Sequence, residues 1–429
     1  MIKSLLDWKK RSRKPLILYG ARQVGKTTLI DMFSKEFKNY HTLNFQSNPE
    51  LCNVFKNNID GKSIIKKLEI FLWRDIDLEH DLIFFDEIQD CPFAIKSLKF
   101  LYEEFPSSFI ISAWSYLWLV KNQESFPVGK VEFLTLYPLN FEEFLQAIDP
   151  RLYDFFVDIA LGKKIDEFIH EKLIEKLRLY FFVWWMPEIV QTYIDDKDNF
   201  WWIREKQKSL LQSYKSDFSK YSWFTNALHI LHVFEAVSSQ LGQAQDENVK
   251  KFKFSGVIPK KKWFNDLIWP LTFLSKSNLV IKSFIAKKAN SPLKAYIKNN
   301  YFKLYFFDIG LLNANLNILA KDILLDNINY YKWFIVENFV AGELQHIFHD
   351  DLISWEEWNA EIEFLLETAE GVVPLEVKSS QKYRRSKSLD SFISRYHPHK
   401  AYKLTLENYY ASPKWFEVLP LYLIGKLKL

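Results

Sequence analysis

At 429 residues the chain exceeds what one hydrophobic core organises, so two or three domains are expected. Hydrophobic residues make up 48% and charged residues 26% of it, the balance of a globular protein rather than a disordered or fibrous one. The formal charge of +4 is too mild to argue by itself for a dedicated nucleic-acid binder. Cys52 and Cys91 cannot build a disulfide framework, no signal-peptide run opens the chain, and the most apolar run (179–186) is far short of the ~20 residues that cross a bilayer. These observations point to a soluble protein of the cytoplasm, without membrane partners.

In chain order, the apolar strand Leu16-Ile17-Leu18-Tyr19 runs into Gly20-Ala21-Arg22-Gln23-Val24-Gly25-Lys26-Thr27, and a helical stretch beginning at Thr28 follows. That is G-x-x-x-x-G-K-T in its defining context of strand, loop and helix. The glycines let backbone N–H groups curl around phosphate oxygens, and the helix N-terminus adds its dipole. Gly20 through Thr28 is the candidate nucleotide-binding stretch. Lys26 would pair the β- and γ-phosphates and the Thr27 hydroxyl would hold Mg²⁺, so ATP and Mg²⁺ are the ligands implied.

A second apolar strand, Leu82 to Phe85, ends in Asp86-Glu87. An acid at that end suits the Mg²⁺ shell, and Glu87 suits the polarising of a water that attacks the γ-phosphate. Further strands are predicted over 40–45, 109–112 and 131–136. The first of these, between the P-loop and the acidic strand, together with Glu directly after Asp, is the arrangement of ATPases with an additional catalytic glutamate. The strand over 109–112 leads to Ser112-Ala113-Trp114-Ser115, where a polar γ-phosphate sensor belongs; Ser115 or Ser112 could serve, as could a plain serine-rich turn. Gln89 and Lys130 are weaker candidates, for water orientation and for a charge offered in trans.

The stretches GARQVGKTTL, LIFFDEIQ, FPVGKVEFLTLYPLNFEEFL and MPEIV, in that order, resemble a family of uncharacterised bacterial and archaeal AAA-type ATPases. Members join a P-loop domain to a C-terminal domain of unknown function with a restriction-endonuclease-like fold. The likeness runs from about Leu5 to Leu427. It implies an α/β chain with a P-loop ATPase domain over 1–148, a helical connector over 149–222, a winged-helix-like segment over 223–312 and a nuclease-fold domain over 313–429. It also implies the homo-oligomers in which such sites borrow a basic residue from a neighbour.

The residues of the middle are compatible with that division. Asn226 to Gln240 reads as a helix, a loop with Gly242, Gln243 and Asp246 follows, and a second helix covers Phe264 to Ser275. Apolar runs at 279–285 and 302–308 could pair as a hairpin. Helix, helix, hairpin is a winged-helix order, and with Lys250, Lys251, Lys253, Lys260, Lys261 and Lys262 it makes duplex DNA a candidate partner. A solvated basic loop explains the same lysines.

After a helix at 334–349, strands are predicted at 352–356, 360–367 and 372–379, then a helix at 389–396 and a strand at 401–406. This α-β-β-β-α-β order is the core of restriction-type nucleases. Glu363 and then Glu376-Val377-Lys378 match their acid…(D/E)-x-K signature, with Glu337 on the first helix as an additional acid. Strand period sets Glu376 and Lys378 on one face beside an acid of the next strand. Glu363 and Glu376 would hold a metal, and Lys378 would position the attacking water. Asp is usual where Glu363 stands, and E-x-K on a strand is also a common ion pair. Three functions stay open: an ATPase coupled to a DNA-facing module, a regulatory binding protein whose nuclease-like domain is inactive, and an endonuclease gated by ATP.

One number is anomalous: tryptophan (15) outnumbers glycine (11). In the resembling family, SAWSYLW, FFVWWMPE, YKWFIVENF and EEWNAEIEF carry glycine where this chain has tryptophan. A turn at Glu356-Glu357-Trp358-Asn359 wants glycine, and Trp114 interrupts the sensor loop. Trp114, Trp118, Trp184, Trp185, Trp263, Trp269, Trp333, Trp358 and Trp415, with Trp223 less clearly, are candidates for UGA codons that the source organism reads as glycine. An aromatic-rich protein, with Phe 38 and Tyr 21, is the alternative.

Overall fold

The computed structural model describes residues 1–11, 13–56, 60–115, 126–183, 186–220, 224–247, 251–324, 332–358, 360–378, 386–412 and 415–427. Trp118, Trp184, Trp185, Trp223 and Lys250 lie outside the described residues. The chain divides into two compact units, Met1–Tyr137 and Pro138–Leu429.

The first unit is a parallel sheet of β1 (Leu16–Tyr19), β2 (Tyr40–Asn44), β3 (Leu82–Asp86), β4 (Phe109–Trp114) and β5 (Glu132–Thr135), in the order β2-β3-β4-β1-β5. β1, β3 and β4 are buried along their whole length. That is why their sequences are unbroken apolar runs: a parallel sheet covered on both faces has no solvent side to encode. Alternate residues feed two cores. Ile17, Tyr19, Ile83, Phe85 and Ile110 face one, and Leu16, Leu18, Leu82, Phe84, Phe109 and Ile111 face the other.

Two expectations change here. β4 continues to Trp114, paired with Tyr19 of β1, and the indole lies against the rings of Tyr19 (5.4 Å) and Phe126 (5.8 Å). Trp114 is therefore a fully buried strand residue rather than an interruption of a loop. Cys52 and Cys91 are bonded to each other, Cα to Cα 5.5 Å. Two cysteines 39 residues apart give no sequence sign of proximity, but β2 and β3 are neighbours and both chains leave the same end of the sheet.

The second unit begins with helices. Phe141–Ile148 is opened by a reciprocal cap in which Asn140 accepts from the Glu143 N–H (2.8 Å) and Glu143 accepts from the Asn140 N–H (3.2 Å). Glu167–Val183, Phe200–Lys220, Phe224–Glu247 and Phe264–Lys276 follow. The helix expected to stop at Gln240 runs on through Gly242 to Glu247, since a lone glycine weakens a helix without ending it.

The strands of this unit are β6 (Val280–Ala286), β7 (Phe302–Phe306), β8 (Leu352–Glu357), β9 (Ala360–Thr368), β10 (Gly371–Val377), β11 (Tyr402–Thr405), β12 (Tyr410–Ala411) and β13 (Glu417–Pro420). They form one sheet ordered β12-β13-β11-β10-β9-β8-β6-β7. β6 and β7 make the expected antiparallel hairpin, but β6 also pairs in parallel with β8. The hairpin is thus built into the sheet. The helix Lys332–Phe348 packs against β6, β7, β8 and β10, and Lys387–Tyr396 packs against β9 and β10.

Glu343, on Lys332–Phe348, ties the unit's first helix to this layer. Its Oε1 accepts from the Phe141 N–H (2.8 Å) and the Tyr180 hydroxyl (3.2 Å). Burial raises its pKa to about 7, against the pull of those two donors. A carboxyl that keeps its proton longer when folded adds stability below its unfolded pKa, and that contribution is lost as pH rises through the folded value. The unfolding midpoint should therefore fall between pH 4.5 and about 7, and Glu343→Gln should flatten part of that slope. Thermal unfolding of both chains across this window tests it, and identical slopes would refute the assignment.

Candidate functional site

The P-loop leaves β1 and turns at once. Gly20 is required because a Cβ there would lie 2.4 Å from the Leu136 carbonyl oxygen and 3.0 Å from Val24 Cγ1. That carbonyl cannot retreat easily, since the Leu136 N–H is bonded to Tyr19 (2.6 Å). Gln23 (φ 60°) and Gly25 (φ 95°) are both left-handed, and the helix Lys26–Phe33 starts directly after. Lys26 donates to the carbonyls of Gly20 (2.9 Å) and Ala21 (2.8 Å). Burial lowers its pKa to about 8, against the opposing charges of Glu87 and Asp86.

β3 delivers Asp86 beside this loop. Its Oδ2 accepts from the Thr27 hydroxyl (3.2 Å) and from Asn44 of β2 (3.0 Å). Burial, then the neighbouring Glu87, raises its pKa. The next residue, Glu87, is left-handed (φ 51°), accepts from the Gln89 amide, and its N–H bonds to Asp86 Oδ1 (3.1 Å). The Thr27 hydroxyl and Lys26 of the loop, with the buried carboxylate of Asp86 beside it, form the donor set that suits Mg²⁺ and polyphosphate. The candidates Gly20 to Thr27, Asp86 and Glu87 are thus brought together, and Thr28 follows on the same helix.

Ser115 lies one residue beyond the Tyr19–Trp114 pair, beside Gly20, whereas Ser112 is opposite Ile17 inside the sheet. Both are buried. Position favours Ser115 as the polar group at the strand end. Lys130 is ion-paired with Glu103 (2.9 Å), and Gln89 is buried against Glu87. Sequence reasoning missed Asn44, which fixes Asp86 and, through its own side-chain oxygen, the N–H groups of Gln46 and Ser47. An Asn ending an edge strand carries no signal until that strand is known to lie beside β3.

In the second unit, Glu363 and Glu376 stand on adjacent antiparallel strands; extending the register from Leu375–Phe364 sets them opposite each other. Lys378 bridges them, at 2.9 Å from Glu363 and 3.4 Å from Glu376. Glu363 also accepts from the Val377 N–H (3.0 Å). Burial, then Glu363, raises the pKa of Glu376; the two carboxylates overcome burial and raise that of Lys378.

Glu337 is held by the Tyr305 hydroxyl (3.1 Å) and lies 3.7 Å from Lys303, which reaches Glu361 at 2.5 Å. Burial, despite Lys303, lifts the pKa of Glu337 to about 8. Lys303, Glu361 and the buried Lys403, which pairs in register with Glu376, were not legible from the motif alone. Among the described residues, no three His, Cys, Asp or Glu side chains are grouped to hold a metal. No helix among them is long and apolar enough to cross a membrane.

Residues 12–145 match a family model described as an AAA domain. The N-terminal unit is an AAA-type ATPase domain. Beyond it, residues 174–322 match a domain of unknown function, DUF8612, and residues 334–424 match another, DUF4143. Among curated proteins no relative matches the sequence. Solved structures similar to the chain include a Walker-type ATPase of Pyrococcus abyssi, at 14% identity and TM-score 0.45, covering 73% of this chain and 94% of that one. A signal-transduction ATPase (STAND) of Pyrococcus horikoshii with a tetratricopeptide-repeat sensor aligns at 12% identity and TM-score 0.26, over 80% of this chain and 45% of that one. Drosophila ORC bound to DNA aligns at 14% identity and TM-score 0.26, over 77% and 95%.

Within the AAA domain, Gly20→Ala should weaken nucleotide binding about tenfold or more, equivalent to ~1.4 kcal/mol. Titration with a fluorescent ATP analogue measures it, and undiminished affinity would show that the loop does not depend on the close approach to Leu136.

Proposed function

We propose that this chain binds and hydrolyses ATP at Gly20–Thr28 and uses the cycle to drive a C-terminal module that acts on or binds duplex DNA. The observation that carries the ATPase part is the contact of Thr27 with Asp86, with Lys26 and Glu87 in the same loop system. Thr27 and Asp86 would hold Mg²⁺, which would neutralise phosphate charge. Lys26 binds the β- and γ-phosphates. Glu87, set by Gln89, orients and polarises the attacking water, and Ser115 reports on the γ-phosphate end.

Nucleic acid as the target rests on the α-β-β-β-α-β order and on Glu363, Glu376 and Lys378 sharing one buried cluster. Glu337 Oε1 and Glu376 Oε2 are buried without a hydrogen-bond partner, as a site awaiting a cation or substrate group would leave them. A second reading, a regulatory module that docks a partner without cutting, is favoured by Lys378, whose ammonium already reaches one oxygen of each carboxylate. Self-association, with a basic residue supplied in trans, belongs to either reading.

Lys26→Ala should abolish ATP binding. Glu87→Gln should keep it while cutting turnover by ~10²-fold or more, as expected for loss of a general base. Phosphate release and analogue binding measured together separate the two, and a Glu87→Gln chain with full turnover would remove Glu87 from the mechanism. For the second unit, plasmid cleavage with Mg²⁺ or Mn²⁺, with and without ATP, is the test. Cleavage lost in Lys378→Ala and Glu376→Gln chains that still hydrolyse ATP would establish the nuclease. An ATPase-competent preparation that leaves the plasmid intact would establish the docking reading. Removing one partner of a buried pair costs about 3–5 kcal/mol, so the milder Glu376→Gln guards against simple unfolding of Lys378→Ala.

A further inference from the structure

We infer that positions 73, 358 and 415, written as tryptophan, are glycine positions, and that the protein made in its source organism carries glycine there because UGA in its messenger is read as glycine. The three tryptophans have φ of 53°, 55° and 69° and are 90%, 83% and 86% exposed. A bulky side chain in the left-handed region is a genuine outlier, and glycine is the residue without a steric penalty there.

Each position demands glycine for its own reason. Trp73 ends the helix Gly61–Leu72 in a Schellman-type cap: the Arg74 N–H returns to Glu69 (3.2 Å) and the Trp73 N–H to Ile70 (3.3 Å). The left-handed residue of that cap is usually glycine. Trp358 follows Glu357, which pairs with Ala360, so it is the first of two turn residues in a tight hairpin. The turns that fit such a hairpin need positive φ at that first residue. Trp415 stands before Phe416, whose carbonyl accepts from the Ser412 N–H (2.9 Å) at the β12–β13 turn.

The alternative, a chain merely rich in aromatics, fails on a comparison within the molecule. The chain has 38 phenylalanines and 21 tyrosines, yet among the described residues no Phe or Tyr has positive φ. The other left-handed residues are Gln23, Glu87, Lys260, Asn278, Asn317, His349 and His397, polar types of which Asn and His are enriched there. Chance placement of aromatics would not select tryptophan alone.

Other tryptophans of the chain do not share this backbone. Trp8 is buried and donates to the Lys14 carbonyl (2.9 Å), and Trp355 is buried edge-on against Phe392 and Tyr396. Both are tryptophan by packing. Trp114 in β4, and Trp263, Trp269 and Trp333, have no left-handed backbone, so conformation does not add them; Trp73, absent from the sequence candidates, is added. One consequence concerns function: the indoles at 73, 358 and 415 are not anchors for a partner.

Mass spectrometry of peptides spanning 73, 358 and 415, from the protein isolated from its source, tests the identity. Glycine at all three upholds the inference, and tryptophan there overturns it. The recombinant chain tests the conformational reason. Changing the three tryptophans to glycine should raise the unfolding midpoint by several degrees, and changing them to alanine should raise it distinctly less, since alanine still meets the left-handed penalty. Equal midpoints for the glycine and alanine chains would overturn the claim that these turns are built for glycine.

Discussion

A buried carboxylate must be matched by a donor or a cation, and both units of this protein are arranged around that requirement. Asp86 ends a strand with no solvent on either face; it persists there because Thr27, Asn44 and the Glu87 N–H converge on it. In the second unit the same rule is met with lysines, Lys378 between Glu363 and Glu376 and Lys303 between Glu337 and Glu361. The sheet edges, helix starts and hairpins around these acids are the means of bringing their partners within 4 Å.

The two clusters differ in how completely the rule is met, and that separates their chemistry. Around Asp86 the donors are a hydroxyl, an amide and an N–H, and the nearest cation, Lys26, is tied to loop carbonyls. Such a carboxylate has donors around it but no cation seated on it, and burial, then the neighbouring Glu87, raises its pKa. Around Glu363 the lysine is already seated. A cation entering there has to displace or share an ammonium, a harder step than joining the Thr27–Asp86 pair.

Much of the AAA domain was legible because its signals are local. The strand, the glycine loop and the helix are contiguous, and the acidic pair ends a run whose unbroken apolarity announces burial on both faces. The β6–β7 hairpin of the second unit could be read from two apolar runs, and the E-x-K triplet placed two charges on one face. What could not be read depends on which strands are neighbours. Asn44 acquires meaning only when β2 lies beside β3, Lys403 only when β11 lies beside β10, and the Cys52–Cys91 bond only when two segments leave the same end of the sheet. Trp114 misled because its neighbours in sequence look like a loop, whereas Tyr19 and Phe126 hold its ring in the core.

The pairing of β6 with β8 carries a consequence for how the chain can be divided. β6 and β7 fall within residues 174–322, and β8 to β13 within 334–424, so the two stretches of unknown function share one hydrogen-bonded sheet. Excising either would strip a partner from a long internal strand and leave a bare row of N–H and C=O groups at β6 or β8, an invitation to pair with another copy. The two segments match separate family models, but they share one sheet in the fold.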